Sequence, residues 1–153
     1  MADALTLQLF ALQHNPWYAR MSNHATAQSL TSGGAGLIVY DTADIDPTSL
    51  VSGLGGTAQI TVPVNGIYLV PHTLRLSAQF DLSLAIYQNG AQISEGPEYE
   101  GSSGHDMAAS MTDLVVCNAG DYLQGAYSYC SGAASVVTGQ YATYMSVAFL
   151  RLT

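Results

Sequence analysis

Two Asn-Gly dipeptides, each set against runs of β-branched and aromatic residues, constrain this chain more than any other feature. Asn65-Gly66 stands between Ile60-Thr61-Val62-Pro63-Val64 and Ile67-Tyr68-Leu69-Val70, and Asn89-Gly90 follows Leu84-Ala85-Ile86-Tyr87-Gln88. Asn and Gly tolerate the positive φ that two-residue hairpin loops demand, so this dipeptide between β-rich runs is a strong hairpin signal. The text predicts a strand, a tight turn at Asn65-Gly66 and a second strand, then a further strand closed at Asn89-Gly90.

The same grammar continues along the chain. Strand candidates are residues 17–22, 26–30, 36–40, 58–62, 66–76, 80–88, 107–117, 121–129 and 140–152. Turn signals such as Ser32-Gly33-Gly34, Asp46-Pro47, Asn118-Ala119-Gly120-Asp121 and Ser131-Gly132 separate them. Many short strands with no convincing helix predict an all-β, antiparallel jelly-roll β-sandwich. At 153 residues the chain is of one-domain size. Residues 17–153 are assigned to the sandwich; residues 1–16 are either an N-terminal arm or its first strand. Leu5, Leu7 and Leu9 alternate with Thr6 and Gln8, Phe10 and Leu12 follow, and Pro16 closes the segment.

Periodicity distinguishes two kinds of strand. In 80–88, Phe80, Leu82, Leu84 and Ile86 share one face and Asp81, Ser83 and Tyr87 the other, as in a strand with one face in the core and one in water. The last strand is apolar on both faces. Tyr141, Thr143, Met145, Val147 and Phe149 alternate with Ala142, Tyr144, Ser146, Ala148 and Leu150. Ile67 and Leu69 likewise oppose Tyr68 and Val70. Only one face can meet its own core, so the second is expected to meet a neighbouring subunit or a covering loop.

Charge narrows the partners. Only 9% of the residues are charged, against about 25% in an ordinary globular chain. There is no Lys; Arg20, Arg75 and Arg151 face eleven carboxylates, for a formal net charge of −8. Phosphate backbones and acidic membrane surfaces are held through Lys and Arg, so neither nucleic acid nor membrane is an expected partner. Low charge and ten tyrosines suit a permanent assembly, whose contact cores lose charges and gain aromatics. The N-terminus has no basic region before its apolar residues, and no run approaches a transmembrane span, so synthesis in the cytoplasm without export is expected.

No catalytic constellation emerges. His14, His24, His72 and His105 accompany no nucleophile motif, and no phosphate-binding glycine loop is present, so no catalytic residue is assigned. His72, between Pro71 and Thr73 in a strand, reads as a structural or interface residue. Asp41, Asp44 and Asp46, and Glu95, Glu98, Glu100 and Asp106, suit either calcium coordination or simple solvated loops. Their spacing matches no EF-hand, so solvated loops are expected, with no metal and no cofactor. Placing Cys117 and Cys130 on one hairpin around residues 118–121 separates them by roughly 26 Å. No disulfide is expected.

Several of these pieces, in this order, resemble the tumour-necrosis-factor and complement-head superfamily. They are Ile38-Val39-Tyr40-Asp41-Thr42, Asp46, Ile60-Thr61-Val62-Pro63 with Gly66-Ile67-Tyr68-Leu69-Val70, and Ile86-Tyr87-Gln88-Asn89-Gly90. Leu114-Val115 with Ala119-Gly120-Asp121-Tyr122 follows, and Met145-Ser146-Val147-Ala148-Phe149-Leu150 ends the match. The resemblance covers about Tyr18 to Leu152 and is nearest to the small Thr/Ala-rich variant of tailed-bacteriophage structural proteins. It implies a homotrimer, which the two-sided last strand and scarce charge also favour; because tyrosine gives large rigid contact area, Tyr18, Tyr141 and Tyr144, with Met145, are the expected interface residues. It also implies a virion structural role, first as a capsid decoration protein on the shell surface, bound to the major capsid protein. There Leu5, Leu7, Leu9, Phe10 and Leu12 would form the anchoring arm. A tail-fibre or receptor-binding tip is the alternative, and a non-viral bacterial jelly roll a third.

Overall fold

Alternation of large apolar and small or polar side chains, sustained over strands of up to eleven residues, decides how this backbone packs. The computed structural model describes residues 17–78, 80–100 and 106–153. Among them the strands are β1 (Tyr18–Ser22), β2 (Gly36–Leu37), β3 (Thr42–Ile45), β4 (Val51–Ser52), β5 (Gln59–Thr61) and β6 (Gly66–Leu76). They continue as β7 (Leu82–Gln88), β8 (Ala91–Glu95), β9 (Met107–Cys117), β10 (Tyr122–Cys130) and β11 (Tyr144–Arg151). No described residue is helical. One sheet runs β3-β1-β11-β6-β9, the other β4-β5-β10-β7-β8, with β2 alongside β10. The pairings are antiparallel, giving the jelly-roll sandwich that the sequence predicts.

The core lies between the sheets. Met21, Tyr68, Val70, Leu74 and Met145 enter it from the first sheet, and Ile60, Leu84, Ile86 and Leu123 from the second, all essentially without exposure. Each such side chain stabilises the fold by roughly 1.5–3 kcal/mol on burial. Trp17 and Tyr68 both meet the Phe149 ring edge-on, at 5.2 and 5.4 Å between centroids. They close the end of the sandwich where β1 begins.

The two Asn-Gly dipeptides do different things. Asn89 (φ 53°) and Gly90 (φ 80°) form the expected two-residue loop, and Gln88 pairs with Ala91 across it. Asn65-Gly66 is not a hairpin: neither residue has positive φ, and the flanking β5 and β6 belong to different sheets. It is a corner. A Cβ at Gly66 would stand 2.5 Å from the Phe149 ring and 2.6 Å from the Arg151 carbonyl oxygen, so glycine is required there by close approach.

A second expected hairpin also proves to be a corner. Residues 118–121 carry the chain from β9 in one sheet to β10 in the other, so these strands do not pair. The two corners are tied together. Gly120 N–H donates to the Val62 carbonyl (2.8 Å), Val62 N–H to that of Asp121 (2.9 Å), and Ala119 N–H to Asn65 Oδ1 (2.8 Å). Cys117 and Cys130 are both buried free cysteines, Cys130 Sγ donating to the Gly132 carbonyl, and the hairpin register expected to separate them is not formed. Residues 26–30 are not a strand; Ser29 makes only an isolated bridge to Ser135. β3, β4 and β8, all edge strands, lie outside the predicted strands. Residues 1–16, and with them the arm leucines and Phe10, lie outside the described residues.

Candidate functional site

Side chains alternate across a strand, so the five-stranded sheet turns one set inward and presents the other on an open face. In β11 Met145, Val147 and Phe149 are buried while Tyr144, Ser146, Ala148 and Leu150 face out. The neighbours supply Tyr18 and Arg20 from β1, Ile67, Leu69, Pro71, Thr73 and Arg75 from β6, and Ala108, Ser110, Thr112, Leu114 and Val116 from β9.

Register sorts these residues into rows. Tyr18, Ala148, Leu69 and Leu114 lie side by side across four strands. Beyond them Ile67 pairs with Val116 on one side and Arg151 on the other, with Leu150 at the register shift of β11. In the other direction come Arg20 beside Ser146, Pro71 beside Thr112, and then Ser22, Tyr144, Thr73 and Ser110. One end of the face is therefore aliphatic and aromatic, the other hydroxyl-rich. At the aliphatic end Val116 is 63% exposed, Leu114 58% and Tyr18 42%, a cluster of bulky apolar groups that an isolated domain would leave in water.

None of the eleven carboxylates occupies an outward position on β1, β6, β9 or β11. Asp113, the one acid within these strands, has the inward alternation of β9. In a chain of net charge −8, the outward positions of these four strands hold no acid and include Arg20 and Arg75, while Arg151 sits opposite Ile67 at the end of β11. The first two are matched at the margin: Arg20 Nε lies 3.4 Å from Asp44 Oδ2 on β3, and Arg75 is 2.8 Å from Asp106. Arg20 also donates to the Gln140 carbonyl, and its guanidinium lies 4.1 Å from the Tyr144 ring centroid and 6.0 Å from that of Tyr141. The stack holds Tyr144 in place at the polar end.

The residues singled out from sequence separate on this map. Tyr18 and Tyr144 lie on the open face. Tyr141 is 79% exposed, on the loop before β11, beside Arg20 and not within the strand. Met145 is a correction: it is wholly buried, paired in register with His72, and belongs to the core rather than to any surface contact. Sequence reasoning missed Leu114 and Val116. The signal was present in β9, where outward residues change from Ala108, Ser110 and Thr112 to Leu114 and Val116.

The acidic loops are occupied with local structure. The Asp41 carboxylate accepts the backbone N–H of His24, Ala25 and Thr26 and the Thr42 hydroxyl. Partial burial would raise its pKa, but these donors hold it well below the carboxylate range. Asp44 meets Arg20 and His24, and Asp46 accepts the N–H groups of Leu50 and Val51. Among the described residues no three His, Cys, Asp or Glu side chains converge on a common point suited to a metal ion.

No family model and no curated protein matches the sequence. Its fold is found among solved structures. It superposes on the Eiger tumour necrosis factor of S. frugiperda with a TM-score of 0.67 at 13% identity, covering 90% of this chain and 94% of that one. Murine APRIL gives 0.66 at 11% identity, covering 88% and 98%. The globular domain of zebrafish complement 1qA protein gives 0.62 at 8% identity, covering 90% and 99%. The chain has the all-β jelly-roll fold that these tumour-necrosis-factor and complement globular domains share.

Proposed function

We propose that this chain is a self-associating structural domain that forms a homotrimer through the open face of its five-stranded sheet. The observation that carries this reading is that face's composition: apolar at one end, with no outward carboxylate on β1, β6, β9 or β11, and with Asp44 and Asp106 at its margins ion-paired to Arg20 and Arg75, in an otherwise acidic protein. Copies meeting there bury Leu114, Val116, Leu150 and Tyr18 without desolvating an unpaired acid, and unpaired acids are what makes like-charged subunits repel. Tyr18 and Tyr144 supply rigid aromatic contact area, and Tyr141 lies at the rim. The face is a contact surface rather than a reaction site, and no catalysis is proposed.

The trimer serves as a virion structural protein, a bacteriophage decoration protein on the capsid surface whose partner is the major capsid protein. The sequence resemblance to phage structural proteins supports this reading, and residues 1–16 are its anchoring arm. Two measurements test it. Sedimentation velocity at micromolar concentration should return a trimer near pH 7; a monomer overturns the assembly reading. On purified virions that carry the chain, a domain-specific antibody should label the capsid in electron micrographs. Label confined to the tail assigns it to a fibre tip instead, and unlabelled virions overturn the virion role.

A further inference from the structure

His72 sits at the centre of the face-forming sheet, on β6, yet its side chain points away from the face. It is wholly buried, flanked in register by Met145 of β11 and Met111 of β9. Tyr40, equally buried, approaches from the chain before β3, with its ring centroid 6.3 Å from that of His72. Gly125 of β10 makes room for both. A Cβ there would collide with the Tyr40 hydroxyl oxygen and stand 3.1 Å from His72 Nε2. Neither ring nitrogen of His72 nor the Tyr40 hydroxyl makes a well-formed hydrogen bond within the protein, although the Ala85 carbonyl lies close enough to act on the His72 ring. Buried polar atoms are almost always paired, so an unpaired cluster in the core needs an explanation.

We propose that the Tyr40–His72–Gly125 cluster makes the fold proton-sensitive: the face-forming sheet must hold His72 neutral, so in mildly acidic solution the folded domain loses stability to an unfolded chain that takes up the proton. An imidazolium at this position has no carboxylate to receive it. On the inward sides of the elements around it, the titratable groups are Tyr40, Tyr68, Tyr127, Cys117, Cys130 and Asp113. Burial raises the pKa of Tyr40 and pushes Tyr68 to about 12 and Cys117 to about 11, so these groups stay neutral in acid. Asp113 lies opposite Val70 and accepts the N–H of Leu114. Burial lowers the His72 pKa to about 4, only partly opposed by the Ala85 carbonyl.

The sign follows from linkage. Between the unfolded value near 6.5 and about 4, the unfolded chain binds the proton and the folded chain resists it. Stability therefore falls as pH drops through this window and levels off below it. The hydrogen-bonded carboxylates Asp41 and Asp121 have lowered folded pKa values. Their contribution is present above the unfolded carboxyl pKa of about 4 and is lost only as pH falls below it. The two effects occupy separate ranges. The consequence for assembly rests on the open-face reading above; the effect on folding does not.

Denaturant unfolding at one protein concentration should show the folding equilibrium constant dropping about tenfold per pH unit from 6.5 to 4, about 300-fold in all. His72→Leu and His72→Gln should each lose most of that dependence, which removes the contributions of the other histidines by difference. Parallel pH profiles in wild type and both variants overturn the proposal. If neither variant folds, NMR titration of the His72 ring in wild type decides: a neutral ring down to about pH 4 supports the switch, and titration near 6.5 in the folded chain overturns it. A protein monomeric at pH 7 that still shows the His72-dependent slope removes the assembly reading alone. A trimer without the slope removes the switch alone.

Discussion

The two outward faces of this sandwich are built from the same strand alternation and reach opposite compositions. On the six-stranded sheet the outward residues of β7 and β10 are Ser83, Ala85, Tyr87, Tyr122, Gln124, Ala126 and Tyr129, small or hydrogen-bonding side chains, of which Ser83, Ala85, Gln124 and Ala126 are buried within the domain itself. There Ser128 donates to Glu95, so a carboxylate is accommodated at that surface. On the five-stranded sheet the matching positions hold Leu69, Leu114, Val116, Ala148 and Leu150 and no acid. The face of residues 80–88 that alternation predicts to meet water is therefore covered at Ser83 and Ala85, where short side chains let the rest of the domain pack closely. Bulky aliphatics clustered in register, with carboxylates kept away, mark the side that is meant to be covered.

The strongest way to break this contrast is to place charge on both faces. Leu114→Asp with Val116→Asp should weaken self-association by about a thousandfold, because several copies would bring unpaired carboxylates together. Tyr129→Asp, on the other sheet, should leave association within about twofold, as exposed substitutions usually do. Sedimentation equilibrium reads both, and equal dissociation by the two variants would end the argument for a dedicated face.

Next in size is a contrast within one strand. Met145→Ala should cost about 2–5 kcal/mol of folding stability through the cavity it leaves. Tyr144→Ala, one residue away and facing out, should mainly weaken association, by about tenfold or more if the ring is an anchor. Denaturant melts beside sedimentation separate the two. Indistinguishable effects would mean that inward and outward positions in β11 are misassigned.

The smallest effects sharpen the packing at the end of the face. Gly66→Ala should destabilise by about 1–3 kcal/mol, since its Cβ meets the Phe149 ring and the Arg151 carbonyl. Gly90→Ala, at φ 80° beside only the Tyr122 hydroxyl, should cost about 1–2 kcal/mol from backbone conformation alone. Relaxing the Gly66 effect with Phe149→Leu, but not that of Gly90, would tie the first to packing. Equal insensitivity to Phe149 would refute the close-approach argument.

What the sequence determined by itself is local. Period-two alternation identified β6, β7, β9, β10 and β11 and placed Leu82, Leu84 and Ile86 on one buried face, because side-chain direction in a strand depends only on the strand's own backbone. Asn89-Gly90 was legible for the same reason: its positive φ angles satisfy a loop closed by its immediate neighbours. Tertiary structure decided the rest. Asn65-Gly66 carries identical local chemistry but turns between sheets, because its surroundings are set by Asp121, Gly120 and Phe149, far away in the chain. The two-sided apolarity of β11 announced two coverings, yet only the packing of the second sheet showed that Met145 faces the core and Tyr144 the outside. The acid-free surface exists in no single segment. It appears when β1, β11, β6 and β9, distant in sequence, are brought into register side by side.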